Sequence, residues 1–226
     1  MTLTKAGGLA ALICAGTYIF GFVFLVTVFA PLGFGPGEID IPAVVAYTAE
    51  NPGMMILWNT TIYVVNALAL TVLVVALHRQ IAAERPDAAA LGGAIGLIWA
   101  TLVLGAGMIA NVAVEHVHAL ADEPEAAAEL WSTMHVVELG LGGGNEIAGG
   151  AWIVAVSLYG IASGTLGRLA AVIGVISGAA GLATILPPLG KIAGAVFGLG
   201  AIAWFIVVGV ALLRAAPIHV RKEISA

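Results

Sequence analysis

Charged side chains are scarce in this sequence. Only 9% of its 226 residues are Asp, Glu, Lys or Arg, whereas ordinary soluble domains have about 25%. Hydrophobic residues make up 61% of the chain, and the mean hydropathy is +1.09. This composition excludes a soluble globular protein. The formal net charge of −5 also argues against nucleic acid as a partner, because such partners are bound through basic surfaces.

Cysteine is nearly absent, and its absence excludes several kinds of site. Cys14 is the only cysteine, so the chain cannot form an intramolecular disulfide. A single thiol also excludes a cysteine-based zinc site and an iron–sulfur cluster. Because Cys14 lies within a long apolar run, we interpret it as a small core residue.

Long apolar runs dominate what the sequence does contain. Six of them are long enough to cross a bilayer, which takes roughly 20 residues. Lipid offers the backbone no hydrogen-bond partner, so each run is expected to be a helix. We therefore predict an all-α fold, a polytopic membrane protein in which six transmembrane helices form one bundle and one domain, 1–226. The approximate spans are 7–30, 54–77, 88–114, 130–160, 169–186 and 190–213.

The few basic residues predict how these helices are oriented. The first and third loops carry acidic residues and no Lys or Arg, and Lys191 is the one basic residue on their side. The positive-inside rule then predicts that both termini lie in the cytoplasm and that the protein spans a bacterial plasma membrane. The first apolar run is too long for a signal peptide and is interpreted as an uncleaved span. The basic residues that lie on the other loops and the tails are Lys5, Arg79, Arg85, Arg168, Arg214, Arg221 and Lys222.

Several local patterns predict where helices begin, end or break. The first outer loop contains a short helix from Ile41 to Glu50, expected to place Val44, Val45 and Tyr47 against the membrane. Asn51-Pro52 ends that helix and starts the second span. Asp87 is a suitable N-cap for the third span. Within the fourth span, Gly142-Gly143-Gly144 favours close helix packing, with a kink or a ligand contact as alternatives.

The layout resembles an uncharacterised family of six-helix bacterial integral membrane proteins, a domain of unknown function. The resemblance covers about half of the chain and implies the six-helix architecture, but it implies no activity and no residue role. The motifs that carry it are the loop helix closing with Asn51-Pro52, Leu77-His78-Arg79 at the end of the second span, the turn between Gly160 and Leu169, and the ending Trp204, Gly209, Leu212-Leu213-Arg214.

Polar residues follow one stripe on each of three spans. At about 100° per residue, those of the fourth span fall within an arc of roughly 100°. A polar stripe cannot face lipid cheaply, so it must line the bundle interior or a wet cavity. We therefore predict one central polar core. Its members are Asn59 and Asn66 on the second span, Asn111, Glu115 and His118 on the third, and His135, Glu138, Asn145 and Glu146 on the fourth.

Two mirrored motifs form the candidate metal site. Glu115-x-x-His118 and His135-x-x-Glu138 flank the short third loop, and an antiparallel pair of helices is expected to bring the two histidines to one depth. Two imidazoles and two carboxylates suit one divalent ion, zinc, iron, manganese or copper, with an open position. Haem is less favoured, because the histidines are too close to span a porphyrin. The alternative is a Glu–His network that only joins the two helices.

Glu146 is expected near the middle of the bilayer. It lies about 12 Å beyond Glu138 along a regular helix, and no Lys or Arg is placed at that depth. Its carboxyl is then either protonated or hydrogen-bonded to Asn66 or Asn145, because a bare carboxylate is costly in lipid. Glu138 and Glu146 are the candidate catalytic residues.

Three functions fit these patterns. The first is a membrane protein whose outward-opening polar core holds a metal ion or a titrating Glu/His cluster and acts on a hydrophobic or lipid-like small molecule. The second is a proton-coupled transporter or channel in which Glu146 carries the proton. The third is a structural accessory subunit of an oligomer or a larger membrane complex. The sequence predicts the membrane class and leaves these three open.

Overall fold

The computed structural model is all α-helical over the residues it describes, 1–32, 39–143 and 146–215, and contains no strand among them. This confirms the all-α part of the predicted fold class. The α-helices are α1 (Leu3–Phe24), α2 (Ile41–Glu50), α3 (Pro52–Asn59), α4 (Asn66–Ala82), α5 (Pro86–Ala119), α6 (Pro124–Glu138), α7 (Ile147–Ala162), α8 (Arg168–Ala183) and α9 (Gly190–Arg214).

Five helical stretches of the described chain are long and apolar enough to cross a membrane. The fifth predicted span, 169–186, corresponds to α8, a shorter apolar helix of 16 residues. At 1.5 Å per residue α8 is roughly 24 Å long, slightly less than the hydrocarbon core of a bilayer. The five long stretches are Leu3–Leu32, Pro52–Ala82, Pro86–Ala119, Pro124–Ala162 and Gly190–Arg214.

The long helices pack in a closed ring. Helix α1 packs against α9 and α4, α4 against α5, α5 against α7, α7 against α8, and α8 against α9. Large aromatic side chains fill its centre, with the Trp99 and Phe205 rings stacked at 6.3 Å and the Trp99 and Trp152 centroids 5.6 Å apart. Helix α6 lies outside this ring, against α5 and α2.

One end of the bundle gathers most of the described basic residues. Gln80 Nε2 donates to Thr4 Oγ1 at 2.7 Å, and Arg85 Nε donates to the Ala162 carbonyl at 3.4 Å. These bonds place the start of α1, the α4–α5 turn and the end of α7 at the same level. The basic residues at or beside these positions are Lys5, Arg79, Arg85 and Arg168.

Helix α2 has the predicted bounds, but its apolar face has a different partner. Asp40 caps it by accepting a hydrogen bond from the Ala43 amide at 3.1 Å. Val44 and Val45 are buried against α5 and α6, in a cluster with Trp131. The expectation that they face the membrane is wrong, because α6 begins at Pro124, earlier than predicted, and provides protein surface there.

The start of α5 also differs from the prediction. The helix begins at Pro86, Arg85 occupies the N-cap position, and Asp87 lies in the first turn. Proline suits the first helical position because its missing N–H would have no partner there. Asp87 still has a favourable place, since a carboxylate in the first turn interacts with the positive end of the helix dipole.

Three spans contain a π-helical segment. These segments are Leu25–Phe29 after α1, Thr60–Val65 between α3 and α4, and Leu139–Gly143 after α6. In the last of them Gly142 has a φ of 130° and interrupts the helix, which matches the kink kept as an alternative in the sequence analysis and not the favoured close packing. Gly144 and Asn145 lie outside the described residues. Wide turns of this kind are frequent at functional sites.

Candidate functional site

A cavity of about 270 Å³ lies among α1, the second span and the fourth span. Each of the three π-helical segments contributes to its wall, with Leu25, Tyr63 and Leu139 among the contributors. Most of its lining is apolar, and the polar groups are few. The lining residues are Thr17, Tyr18, Gly21, Phe22, Leu25, Trp58, Ile62, Tyr63, Asn66, Val103, His135, Glu138, Leu139, Gly142 and Glu146.

A hydrogen-bonded chain of side chains runs along one wall of the cavity. The Tyr63 hydroxyl donates to Glu138 Oε1 at 2.5 Å. The other carboxylate oxygen of Glu138 lies 3.4 Å from Nδ1 of His135. The His135 ring is stacked on Trp131, with centroids 4.6 Å apart and planes 18° apart. Tyr63 lies in a π-helical turn, and its hydroxyl points at the fourth span.

The residues predicted to face inward on the fourth span do meet at this cavity. His135, Glu138, Gly142 and Glu146 all line it. Asn59 lies instead on a second space of about 30 Å³, which shares His135 and Glu138 with the cavity. That space is about large enough for one water molecule. Asn145, another predicted member, lies outside the described residues.

The asparagines do not join one continuous polar core. Asn66 Nδ2 donates to Thr17 Oγ1 at 2.7 Å, at the edge of the cavity. Asn111 Nδ2 donates to Thr60 Oγ1 at 2.9 Å, and its carbonyl oxygen has no partner among the described residues. The Asn66 and Asn111 amides thus donate to two separate threonines on neighbouring spans, and Thr17 is a partner that the sequence pattern did not indicate.

His118 and Glu115 lie away from His135. The Nδ1 atom of His118 is 2.7 Å from the Ala49 carbonyl oxygen, a hydrogen bond to the end of α2. Glu115 is exposed. His135 packs at the level of Ala110 and Val114 of α5, well below His118. The two histidines therefore do not share one depth, because α6 begins at Pro124 and His135 lies roughly 16 Å along it.

No group of three or more His, Cys, Asp or Glu side chains is placed to hold a metal ion in the part of the chain that the structure describes. The closest approach to such a site is the pair His135 and Glu138. A site that also includes Glu115 and His118 stays a prediction, and it requires His118 to leave the Ala49 carbonyl. Elemental analysis of the purified protein, with His118→Ala and His135→Ala variants, tests it.

Glu146 occupies the turn where the fourth span resumes. It is the N-cap residue of α7, and its backbone N–H donates to Thr184 Oγ1 of the α8 end at 3.1 Å. The expected bond from Asn66 is not formed, since the Asn66 amide donates to Thr17. The carboxyl of Glu146 makes no hydrogen bond or ion pair with any residue that the structure describes. It contributes a second acidic group to the cavity.

Two aromatic residues of the site were missed by the sequence analysis. Both lie on apolar stretches of the second span. Tyr63 follows Asn59 by four residues and precedes Asn66 by three, so it shares the face of the asparagine stripe, whereas Trp58 lies off that face. Tyr63 binds Glu138, and Trp58 lines both spaces with its buried indole N–H unpartnered among the described residues. The available signal was chemical, since Tyr and Trp carry a polar group that needs a partner when buried.

Removing the Tyr63 hydroxyl should destabilise the protein. We expect Tyr63→Phe to lower the free energy of unfolding by about 1–3 kcal/mol, because Glu138 loses a hydrogen bond in a partly buried place. Thermal unfolding in detergent measures this. Tyr47→Phe is the matched control, since the Tyr47 ring packs on Phe29 and its hydroxyl binds no described residue. Equal stability of both variants would contradict the importance of the Tyr63–Glu138 bond.

Comparison of the chain with protein-family models, with curated proteins and with solved structures gives no match.

Proposed function

We propose that this chain is a six-span protein of a bacterial plasma membrane, with both termini in the cytoplasm, that binds a hydrophobic small molecule in the cavity beside Glu138. The supporting topology argument is the positive-inside rule, applied to the end of the bundle that gathers Lys5, Arg79, Arg85 and Arg168. Helix α8 serves as the fifth of the six spans and packs against α7 and α9 on its two sides.

One observation supports the binding function: the same cavity combines apolar walls with a hydrogen-bonded chain of polar side chains. Small-molecule sites are concave and mostly apolar, with a few polar groups that fix the orientation of the ligand. The cavity has apolar walls, and the Tyr63–Glu138–His135 chain lies along one side. Hydroxyl, carboxylate and imidazole in contact can hold or transfer a proton at a ligand atom.

The position of the cavity favours a ligand that arrives from the lipid. Its lining comes from α1 with its π-helical continuation, from the second span, from Val103 of α5 and from the fourth span. Helices α1 and α7 are not neighbours in the helix ring. Leu25, partly exposed, and Leu139, 36% exposed, lie on the two sides. A hydrophobic molecule dissolved in the bilayer can enter between them without crossing water.

Filling the cavity should abolish ligand binding. We expect Leu25→Trp to reduce photolabelling by benzophenone, a small hydrophobic ketone, about tenfold or more, because the indole occupies ligand space. Leu9→Trp on the same helix is the control, since Leu9 is 46% exposed and does not line the cavity. Mass spectrometry of the labelled peptides measures the loss. Equal labelling of α1 and the fourth span in both variants would refute the assignment.

Proton-coupled transport is a second candidate function, and one observation favours it. Glu138 and Glu146 line the same cavity on the two sides of the helix break at Gly142. Two carboxyls separated by a hinge are a suitable proton path. Purified protein in liposomes under a proton gradient tests this candidate: substrate-dependent acidification lost in Glu146→Gln supports it, and its absence in the wild-type protein opposes it.

A further inference from the structure

The cavity beside Glu138 has an unusual balance of charge. Two carboxyl groups face it, those of Glu138 and Glu146. No lysine or arginine is found among the described residues that line it. His135 meets one oxygen of Glu138 at 3.4 Å, a long contact. Among the described residues that line the cavity, acidic side chains therefore outnumber lysine and arginine.

The Glu146 carboxyl is the group that most needs a partner. It lies partly buried in the wall of an apolar cavity and is not bonded to any residue that the structure describes. Removing a carboxylate from water without a partner is costly. A positively charged ligand would offset that cost directly, whereas an anionic ligand would add repulsion from both carboxyls.

Aromatic rings form much of the remaining wall. Tyr18, Phe22, Trp58 and Tyr63 come from two different spans and all line the cavity. The face of an aromatic ring carries partial negative charge and attracts ammonium groups, an attraction that strengthens when water is excluded. Aromatic walls together with acidic groups are the arrangement that recognises organic ammonium ions, including quaternary ones that cannot donate a hydrogen bond.

We propose that the ligand of this cavity is a hydrophobic organic cation, an amine or quaternary ammonium with apolar substituents. This inference rests on the proposed binding function and names its ligand class. The cationic head lies between Glu138 and Glu146, and the substituents pack on Leu25, Ile62 and Leu139 at the lipid side. The Tyr63 hydroxyl, by donating to Glu138, holds that carboxylate toward the head.

A matched pair of probes tests the ligand class. Phenyltrimethylammonium and tert-butylbenzene have the same shape and differ in charge, and calorimetric titration into purified detergent-solubilised protein gives both affinities. We expect the cation to bind at least about tenfold more tightly, as an ion pair with a cation–π contact allows. Glu138→Gln should reduce the cation's affinity about tenfold and leave that of tert-butylbenzene unchanged. Glu129→Gln, exposed on the same helix α6, is the control and should change neither.

The possible outcomes test the ligand class separately from the proposed binding function. Tighter binding of the cation, lost in Glu138→Gln and retained in Glu129→Gln, supports the inference. Equal or tighter binding of tert-butylbenzene in the wild-type protein overturns the ligand class while leaving a hydrophobic ligand site intact. Binding of neither probe, in protein that unfolds cooperatively on heating, overturns the ligand class. Loss of benzophenone labelling in the same preparation would overturn the binding function as well.

Discussion

Replacing Gly150 with leucine is expected to prevent α7 and α8 from packing. A Cβ atom at Gly150 would lie 2.6 Å from the Gly178 carbonyl oxygen and 2.7 Å from the Leu182 backbone nitrogen. Both are backbone atoms of α8, which cannot move aside as a flexible side chain can. Overpacking an interface lowers the free energy of unfolding by about 1–3 kcal/mol. Because the atoms next to Gly150 belong to the backbone, we expect a loss at or above that range.

The consequence extends to the cavity, because the same interface positions Glu146. A Cβ atom at Gly181 would lie 3.0 Å from the Glu146 carbonyl oxygen, and Thr184 receives the Glu146 N–H. Gly150→Leu should therefore give little folded protein, and any that forms should lose ligand binding. Gly16→Leu is the control, since Gly16 is exposed and has open space around it. The measurements are the monodisperse yield after detergent extraction and the unfolding temperature. Equal values for the two variants would show that α7 and α8 do not need this contact.

Much of the helical framework follows from the sequence because its causes are local. The apolar runs predict the spans closely, with α9 running from Gly190 to Arg214 against an expected 190–213. The loop helix Ile41–Glu50 has the predicted bounds, because Asp40 caps one end and Pro52 stops the other. Errors arose at α5 and α6, where Pro86 and Pro124 begin helices earlier than hydropathy suggests.

The site was only partly predictable, for a geometrical reason. A polar stripe along one helix predicts that His135, Glu138 and Glu146 face the same way. All three do line one cavity. Periodicity along a single helix cannot indicate which other helix faces the stripe. Tyr63 and Thr17 therefore escaped notice, although each makes a hydrogen bond within this site.

The helix break at Gly142 corresponds to one of the alternatives that the glycine triplet left open. Its φ of 130° lies in a region that residues with a Cβ rarely adopt. The space around it is otherwise open, with Val103 Cγ2 4.0 Å away as the nearest atom to an added Cβ. The glycine is thus required by the backbone conformation and not by crowding.

Gly142→Ala should consequently destabilise the protein by about 1–3 kcal/mol, the cost of holding a non-glycine residue in such a conformation. Gly140→Ala is a matched control two residues away, with open space and no positive φ, and alanine there should be neutral or stabilise by up to about 1 kcal/mol. Unfolding in detergent measures both.

The same pair of variants links the break to function. If Gly142 holds Glu138 and Glu146 on the two sides of one cavity, Gly142→Ala will either distort that arrangement or straighten the span into a regular helix. Phenyltrimethylammonium should then bind more weakly to the Gly142→Ala protein than its loss of stability alone explains, even at temperatures where the variant is fully folded. Gly140→Ala should bind the probe normally. A Gly142→Ala protein with wild-type stability and wild-type affinity would show that the break is not needed to bring the two carboxyls together.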